Sequence, residues 1–193
     1  MLYFGSFNPI HNGHLAIAEW VVQEGLCDEI WLVVSPQNPF KTGEELMPEA
    51  DRLQMAEHAV SESAYRDRIR VSDVEFRLPK PSYTIDTLAE MERAHPGNSF
   101  SVLIGSDNVD RIDRWKDYRD LLARYRIFVY PRAGSEHPAL HAGMTLLEKA
   151  PLFRFSSTDV RKAVEAGCDV SEMLPAAAYN YIVAGYKLPF TRH

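Results

Sequence analysis

The chain has 193 residues, 46% of them hydrophobic and 25% charged, with only 10 Gly and 12 Pro. That suits one domain of ordinary size and excludes collagen-like and disordered chains. Lys and Arg number 21 against 27 Asp and Glu, a formal charge of −6, so no global positive field exists to hold a nucleic acid polymer.

Residues 2–4 form an apolar run that ends at Gly5 and reads as a strand. Strands usually run about five or six residues, so either the start codon lies upstream or this strand is short. A loop through Pro9 leads into a helical pattern from about Asn12, with Leu15, Ala18 and Val22 at helical spacing. Residues 29–34 (EIWLVV) read as the second strand, followed by a Pro-rich loop over 35–48 and a helix over 49–60. Further strands are predicted at 69–76, 100–104 and 127–130, with helices over 83–94 and 115–125. Residues 132–143 read as a polar loop, 144–147 as an edge strand, 156–166 as a capped helix closed by Gly167, and 176–184 as a last short helix.

Strands that are apolar throughout and alternate with helices indicate a parallel sheet covered on both faces. The expected fold class is α/β: a Rossmann-like doubly wound parallel sheet flanked by helices, one domain over 1–193 with a small helical part over about 156–193. In that class ligands bind beyond the carboxyl ends of the strands, where strand order reverses. There is no internal repeat, low-complexity tract or linker. No apolar run approaches the roughly 20 residues that span a bilayer, and the first residues lack the basic and apolar regions of a signal peptide, so no membrane association and a cytoplasmic location are expected. Cys27 and Cys168 are too few and too far apart for a disulfide framework or a thiolate zinc site, and both are expected to be buried thiols.

Two segments carry groups suited to chemistry. In Gly5-Ser6-Phe7-Asn8-Pro9-Ile10-His11-Asn12-Gly13-His14, Gly5 permits a tight exit from the strand, and two histidines three apart at a helix entrance can face one volume. Imidazoles beside a helix N-terminus can donate to phosphate oxygens without a permanent cation. The same pair also fits a structural role or two ligands of a metal, although no Cys or carboxylate lies close in sequence to complete a tetrahedral set. In Phe155-Ser156-Ser157-Thr158-Asp159-Val160-Arg161, Ser156 or Ser157 can cap a helix. Arg161 can reach back over the first amides, where a cation opposes the helix dipole unless an anion is present. This segment fits a plain cap or a phosphate site.

Together, Gly-x-Phe-x-Pro-x-His-x-Gly-His near one end and Ser-Ser-Thr-x-x-Arg near the other resemble the nucleotidyltransferase superfamily related to class I aminoacyl-tRNA synthetases. Within it the chain resembles the bacterial nicotinate mononucleotide adenylyltransferases. The resemblance runs through Ser35-Pro36-Gln37-Asn38-Pro39-Phe40-Lys41, Pro81-Ser82-Tyr83-Thr84-Ile85-Asp86-Thr87-Leu88, Ile104-Gly105-Ser106-Asp107 and Trp115. Phe155 and Val160 stand where that family more often has Ile, Ser106 where Ala is frequent, and the loop after Arg132 is particular to this chain; these departures touch the adenine pocket.

The resemblance implies transfer of the adenylyl group of ATP to nicotinate mononucleotide, giving deamido-NAD and pyrophosphate, with no covalent enzyme intermediate. It implies that His11 and His14 contact ATP phosphates, with Gly5, Ser6 and Phe7 lining the same loop, and that Ser156, Ser157, Thr158 and Arg161 hold the outer phosphates. Lys41 would neutralise phosphates of both substrates, and Gly105 and Asp107 would meet the adenosine ribose. The pyridine ring would fall to Tyr83, Thr84, Trp115 and Lys116, an aromatic stacking on it and the amides of Thr84 and Lys116 meeting its carboxylate. Mg²⁺ would arrive with ATP, bound mostly by phosphates and water, with no metal site on the protein itself. Asp86, Arg52 and Arg132 stay unassigned, with surface or capping roles expected. The rivals are a same-fold enzyme acting on nicotinamide mononucleotide or phosphopantetheine, a non-catalytic nucleotide sensor, and a zinc site on His11 and His14. Oligomeric state is left open, a homo-oligomer included.

Overall fold

The computed structural model describes residues 1–37, 46–135 and 137–183. Six parallel strands form one sheet in the order β3-β2-β1-β4-β5-β6. They are β1 (Leu2–Gly5), β2 (Ile30–Val34), β3 (Ile69–Ser72), β4 (Ser101–Gly105), β5 (Arg126–Tyr130) and β6 (Met144–Leu146). The α-helices are α1 (Asn12–Gln23), α2 (Glu49–Ser61), α3 (Thr84–Ala94), α4 (Tyr118–Arg124), α5 (Ser157–Glu165) and α6 (Ala176–Val183). Among the described residues no helix is long and apolar enough to cross a membrane.

The inner strands β1, β2, β4 and β5 are largely apolar on both faces because both are covered, whereas the edge strands expose Arg70 and Thr145. Tyr3, Leu32, Val34, Ile69 and Leu103 point into a core shared with α1, α2, α5 and α6. Their neighbours Leu2, Val33, Val102, Ile104, Ile127 and Val129 point into a second core with α3 and α4. The period-2 alternation of a strand thus feeds two cores at once, each fully buried Leu, Ile or Val contributing about 1.5–3 kcal/mol of transfer free energy. Residue 2 of β1 pairs with Trp31 on one side and Val102 on the other, so the chain reverses direction of winding between β1 and β4. The crevice above Gly5 and Gly105 is the switch point of the fold.

Two predicted elements and the expected burial of the cysteines differ. The strand predicted over 69–76 stops at Ser72, and Val74–Arg77 form a 3₁₀ turn that buries Val74 and Glu75. The helix predicted over 115–125 begins only at Tyr118, after a 3₁₀ segment at Ser106–Arg114 and a left-handed residue, Asp117 (φ 49°). Trp115 and Lys116 therefore lie on a connection, where the side chains are presented to the crevice rather than to a helix face. Of the two cysteines, Cys27 is partly buried and Cys168, just past the left-handed Gly167 that ends α5, is exposed; a chain leaving a helix cap has little to pack against. The end of the last predicted helix, at residue 184, lies outside the described residues.

Candidate active site

The switch point opens into a cavity of about 200 Å³, against about 20 Å³ for a small neighbour on the far side of the histidines. The cavity draws its walls from the loops after β1, β2, β3, β4 and β5 and from the start of α5. Of the residues singled out in the sequence, Gly5, Ser6, Phe7, His11, His14, Tyr83, Thr84, Gly105, Asp107, Trp115, Lys116, Ser156, Ser157 and Thr158 line it. Lys41 lies outside the described residues.

One end is built by α1 and α5. Phe7 is buried with a left-handed backbone (φ 44°), a conformation that costs a non-glycine residue free energy. Its ring sits edge-on to His14 at 5.0 Å and to Tyr3 at 5.9 Å. Gly5 is required here by close approach, since a Cβ on it would fall 2.9 Å from the Phe7 ring. His11 is the N-cap of α1, and its Nδ1 accepts from the His14 amide at 3.3 Å while His14 Nδ1 accepts from the His11 amide at 3.3 Å. A ring nitrogen that accepts carries no proton, so each neutral imidazole keeps its proton on Nε2 as a donor. The two rings stack with centroids 3.6 Å apart. Burial, with the Arg132 guanidinium nearby, pushes the His11 imidazole down to about 3, which keeps it neutral.

The far end of the sequence meets this loop directly. Ser156 caps α5 in a box with Asp159: the Asp159 amide donates to Ser156 Oγ at 3.4 Å and the Ser156 amide to Asp159 Oδ2 at 2.8 Å. Ser157 Oγ donates to the Pro9 carbonyl at 2.9 Å, and Arg161 Nη1 donates to the Asn8 carbonyl at 2.8 Å, with Nη2 reaching Thr158 Oγ1 at 3.2 Å. Segments about 150 residues apart in sequence are thereby held on one rim. Arg161 reaches across to the first loop instead of folding back over its own helix amides.

Two arginines expected at the surface or in caps are not there. Arg52 is fully buried and donates to four carbonyls, Ser6 at 2.6 Å, Ser35 at 2.7 Å, Met47 at 3.0 Å and Pro36 at 3.2 Å. It ties the loops after β1 and β2 together through backbone alone, which no side-chain pattern in the sequence signals. Arg132 follows β5 at the carboxyl edge of the sheet and lines the cavity, its Nε 3.7 Å from Asp107 Oδ1. Its place one loop residue after a strand is the signal that could have found it. Asp107 does not cap the 3₁₀ segment that follows Gly105. Beneath it Tyr3 OH donates to Tyr130 OH at 2.9 Å, and burial pushes both phenols up.

The other end is built by α3. No side chain caps α3, whose N-cap position is Tyr83. Asp86 is a surface residue, as expected, accepting from Lys116 Nζ at 2.8 Å on each oxygen, and that ammonium lies 5.3 Å from the Tyr83 ring centroid. Glu75, Ser82 and Trp115 bury polar atoms that find no hydrogen-bond partner among the described residues: Oε2, Oγ and Nε1 respectively. Among the described residues no three His, Cys, Asp or Glu side chains gather as a metal site.

The walls can therefore hold a polyanion at one end, between imidazole donors and a helix start, and a flat polar ring at the other; Arg161, singled out with them in the sequence, does not line the cavity and braces its rim through the Asn8 carbonyl. Residues 2–163 match the cytidylyltransferase-like family. A Cytophaga hutchinsonii protein named "Probable nicotinate-nucleotide adenylyltransferase" is 45% identical over 166 residues, which cover 85% of this chain and 84% of that protein. One of the same name from Bacteroides thetaiotaomicron is 41% identical over 184 residues, 94% of this chain and 89% of that protein. Among solved structures, the Plasmodium falciparum nicotinic acid mononucleotide adenylyltransferase complexed with NaAD has the same fold, with a TM-score of 0.80 at 20% identity over 98% of this chain and 96% of that one. At this level of identity over most of its length, the chain belongs to the cytidylyltransferase-like family and, within it, to the nicotinate-nucleotide adenylyltransferases.

Proposed function

We propose that the chain joins ATP to nicotinate mononucleotide, giving deamido-NAD and pyrophosphate, as a step of NAD biosynthesis. A phosphate oxygen of the mononucleotide attacks the α-phosphorus of ATP, the bond to the β-phosphate oxygen breaks, and pyrophosphate leaves with that electron pair. No side chain need act as a nucleophile, so catalysis rests on holding two anions in line and stabilising the charge that develops. The observation that carries the reading is the joining of the His11–His14 loop to the start of α5 on one rim, through Ser157 and Arg161.

On this reading the Nε2 protons of His11 and His14 meet the ATP phosphates, His14 at the α-phosphoryl group. Ser156, Ser157, Thr158 and Arg161 hold the β and γ groups, beside the Ser6–Phe7 backbone. Lys41 neutralises phosphates from the loop after β2. Gly105 and Asp107 take the adenosine ribose, a carboxylate being able to accept from both hydroxyls. Tyr83 and Trp115 flank the pyridine ring, and the amides of Thr84 and Lys116 receive its carboxylate, which favours the acid over the amide. Mg²⁺ enters with ATP, bound mostly by phosphates and water. We read residues 1–193 as one nucleotidyltransferase unit whose part from about 156 onward is helical, working in the cytoplasm where ATP is made available.

The test is pyrophosphate release from ATP and Mg²⁺ with nicotinate mononucleotide, nicotinamide mononucleotide and phosphopantetheine compared in parallel. The reading requires kcat/KM for the nicotinate form to exceed the others by about tenfold or more. Equal use of the two pyridine substrates would overturn the assigned specificity, and no release with any of them would leave a nucleotide sensor.

A further inference from the structure

Glu75 is a buried carboxyl in the cavity wall that the reaction above leaves unused. It is 2% exposed and sits on the 3₁₀ turn after β3. Its Oε1 accepts from Thr87 Oγ1 at 2.8 Å, and the same hydroxyl lies 3.2 Å from the Tyr83 carbonyl, so the carboxyl lies beside the first turn of α3. Oε2 has no partner among the described residues. Burial pushes the group up, opposed first by the Thr87 hydroxyl and by no arginine or lysine among the described residues. A carboxylate kept from water without a cation is costly, and such groups are found paired. Among the described residues the carboxyl meets a hydroxyl dipole and no cation, which leaves room for a cation on the ligand.

We propose that Glu75 is the counter-ion of the substrate's pyridinium ring, so that the site selects mononucleotides whose ring nitrogen is quaternary and positive over those with a neutral dihydropyridine ring. This rests on the reading that the ring enters between Tyr83 and Trp115. A nicotinate ring joined to ribose through nitrogen carries a formal positive charge; addition of hydride to the ring removes it. The aromatic faces of Tyr83 and Trp115 favour the same cation. The ring nitrogen and the ring carboxylate then each meet groups of opposite sign, Glu75 for one and the amides of Thr84 and Lys116 for the other. Ser82 Oγ and Trp115 Nε1, both without a partner among the described residues on this wall, are donors for the remaining polar atoms.

The experiment is calorimetric binding of nicotinate mononucleotide and its 1,4-dihydro form to the wild-type chain and to Glu75→Gln, with turnover of the oxidised form measured alongside. Gln keeps the shape and an acceptor for Thr87. The wild type is expected to bind the oxidised ring about tenfold or more tightly than the reduced one. Glu75→Gln should lose that ratio by weakening the oxidised form alone, with KM for ATP unchanged. Equal affinities in the wild type, or equal weakening of both forms in the variant, would overturn the proposal; the wild-type arm decides even where the variant fails to fold. Turnover of nicotinate mononucleotide by a wild type indifferent to ring charge would sink this inference alone, whereas absence of turnover would sink the proposed function.

Discussion

The end of the cavity built by α1 and α5 is hydrogen-bonded before any ligand arrives, while the end built by α3 holds polar atoms that are not. His11 and His14 cap each other, Ser156 and Asp159 do the same, and Ser157 and Arg161 are anchored on the carbonyls of Pro9 and Asn8. Among the described residues Glu75 Oε2, Ser82 Oγ and Trp115 Nε1 have no such anchors. Preorganised donors stabilise charge without rearranging as it develops, which is what a phosphoryl transfer asks for. Buried atoms left unsatisfied reject a ligand that cannot pair with them, which is what substrate choice asks for. On the proposed function, the contrast separates rate from selection along one cavity.

Substitutions at the two ends should therefore fail differently. The largest effect is expected for His14→Ala: kcat falls by a factor on the order of 10²–10³, with loss of one cap bond costing only about 1 kcal/mol of stability. Steady-state kinetics beside chemical unfolding measure both, and near-normal turnover would reduce His14 to a helix cap. At the other end, Trp115→Ala should raise KM for the pyridine mononucleotide by about tenfold and KM for ATP by less than about twofold. Equal rises would make the indole a packing residue.

The smallest effect concerns the empty protein. His11 is held at about 3 in the folded chain against 6.5 in its ordinary state, so the unfolded chain binds the proton more tightly and stability falls as pH drops below about 6.5. Over the 1.5 units to pH 5 the loss is about 2 kcal/mol, at about 1.4 kcal/mol per unit. Urea midpoints at pH 7 and pH 5 should show it in the wild type and not in His11→Gln. The same loss in both would mean that the imidazole is not kept neutral by its surroundings.

The sheet was legible because β1, β2, β4 and β5 are largely apolar runs closed by Gly, Pro or a polar turn, and the start of α5 carries a serine cap that reads directly from sequence. The α3 end was less legible. Ser106–Arg114 and Val74–Arg77 adopt 3₁₀ turns, whose short, tertiary-held geometry leaves no periodic signature, and so Glu75 passed as a strand residue. Arg52 escaped for another reason: a guanidinium satisfied by four backbone carbonyls has no partner side chain that a sequence could display.

Gly105 carries a consequence for anyone who would reshape this wall of the cavity. A methyl group there would fall 2.6 Å from Asp107 Oδ1, 2.7 Å from Arg132 Cδ and 3.2 Å from Tyr130 Cζ. Three side chains lean on the bare face of one residue, so an alanine at 105 displaces all of them together. Reshaping this wall is easier at 107 or 132, whose side chains are partly exposed, than at the strand end.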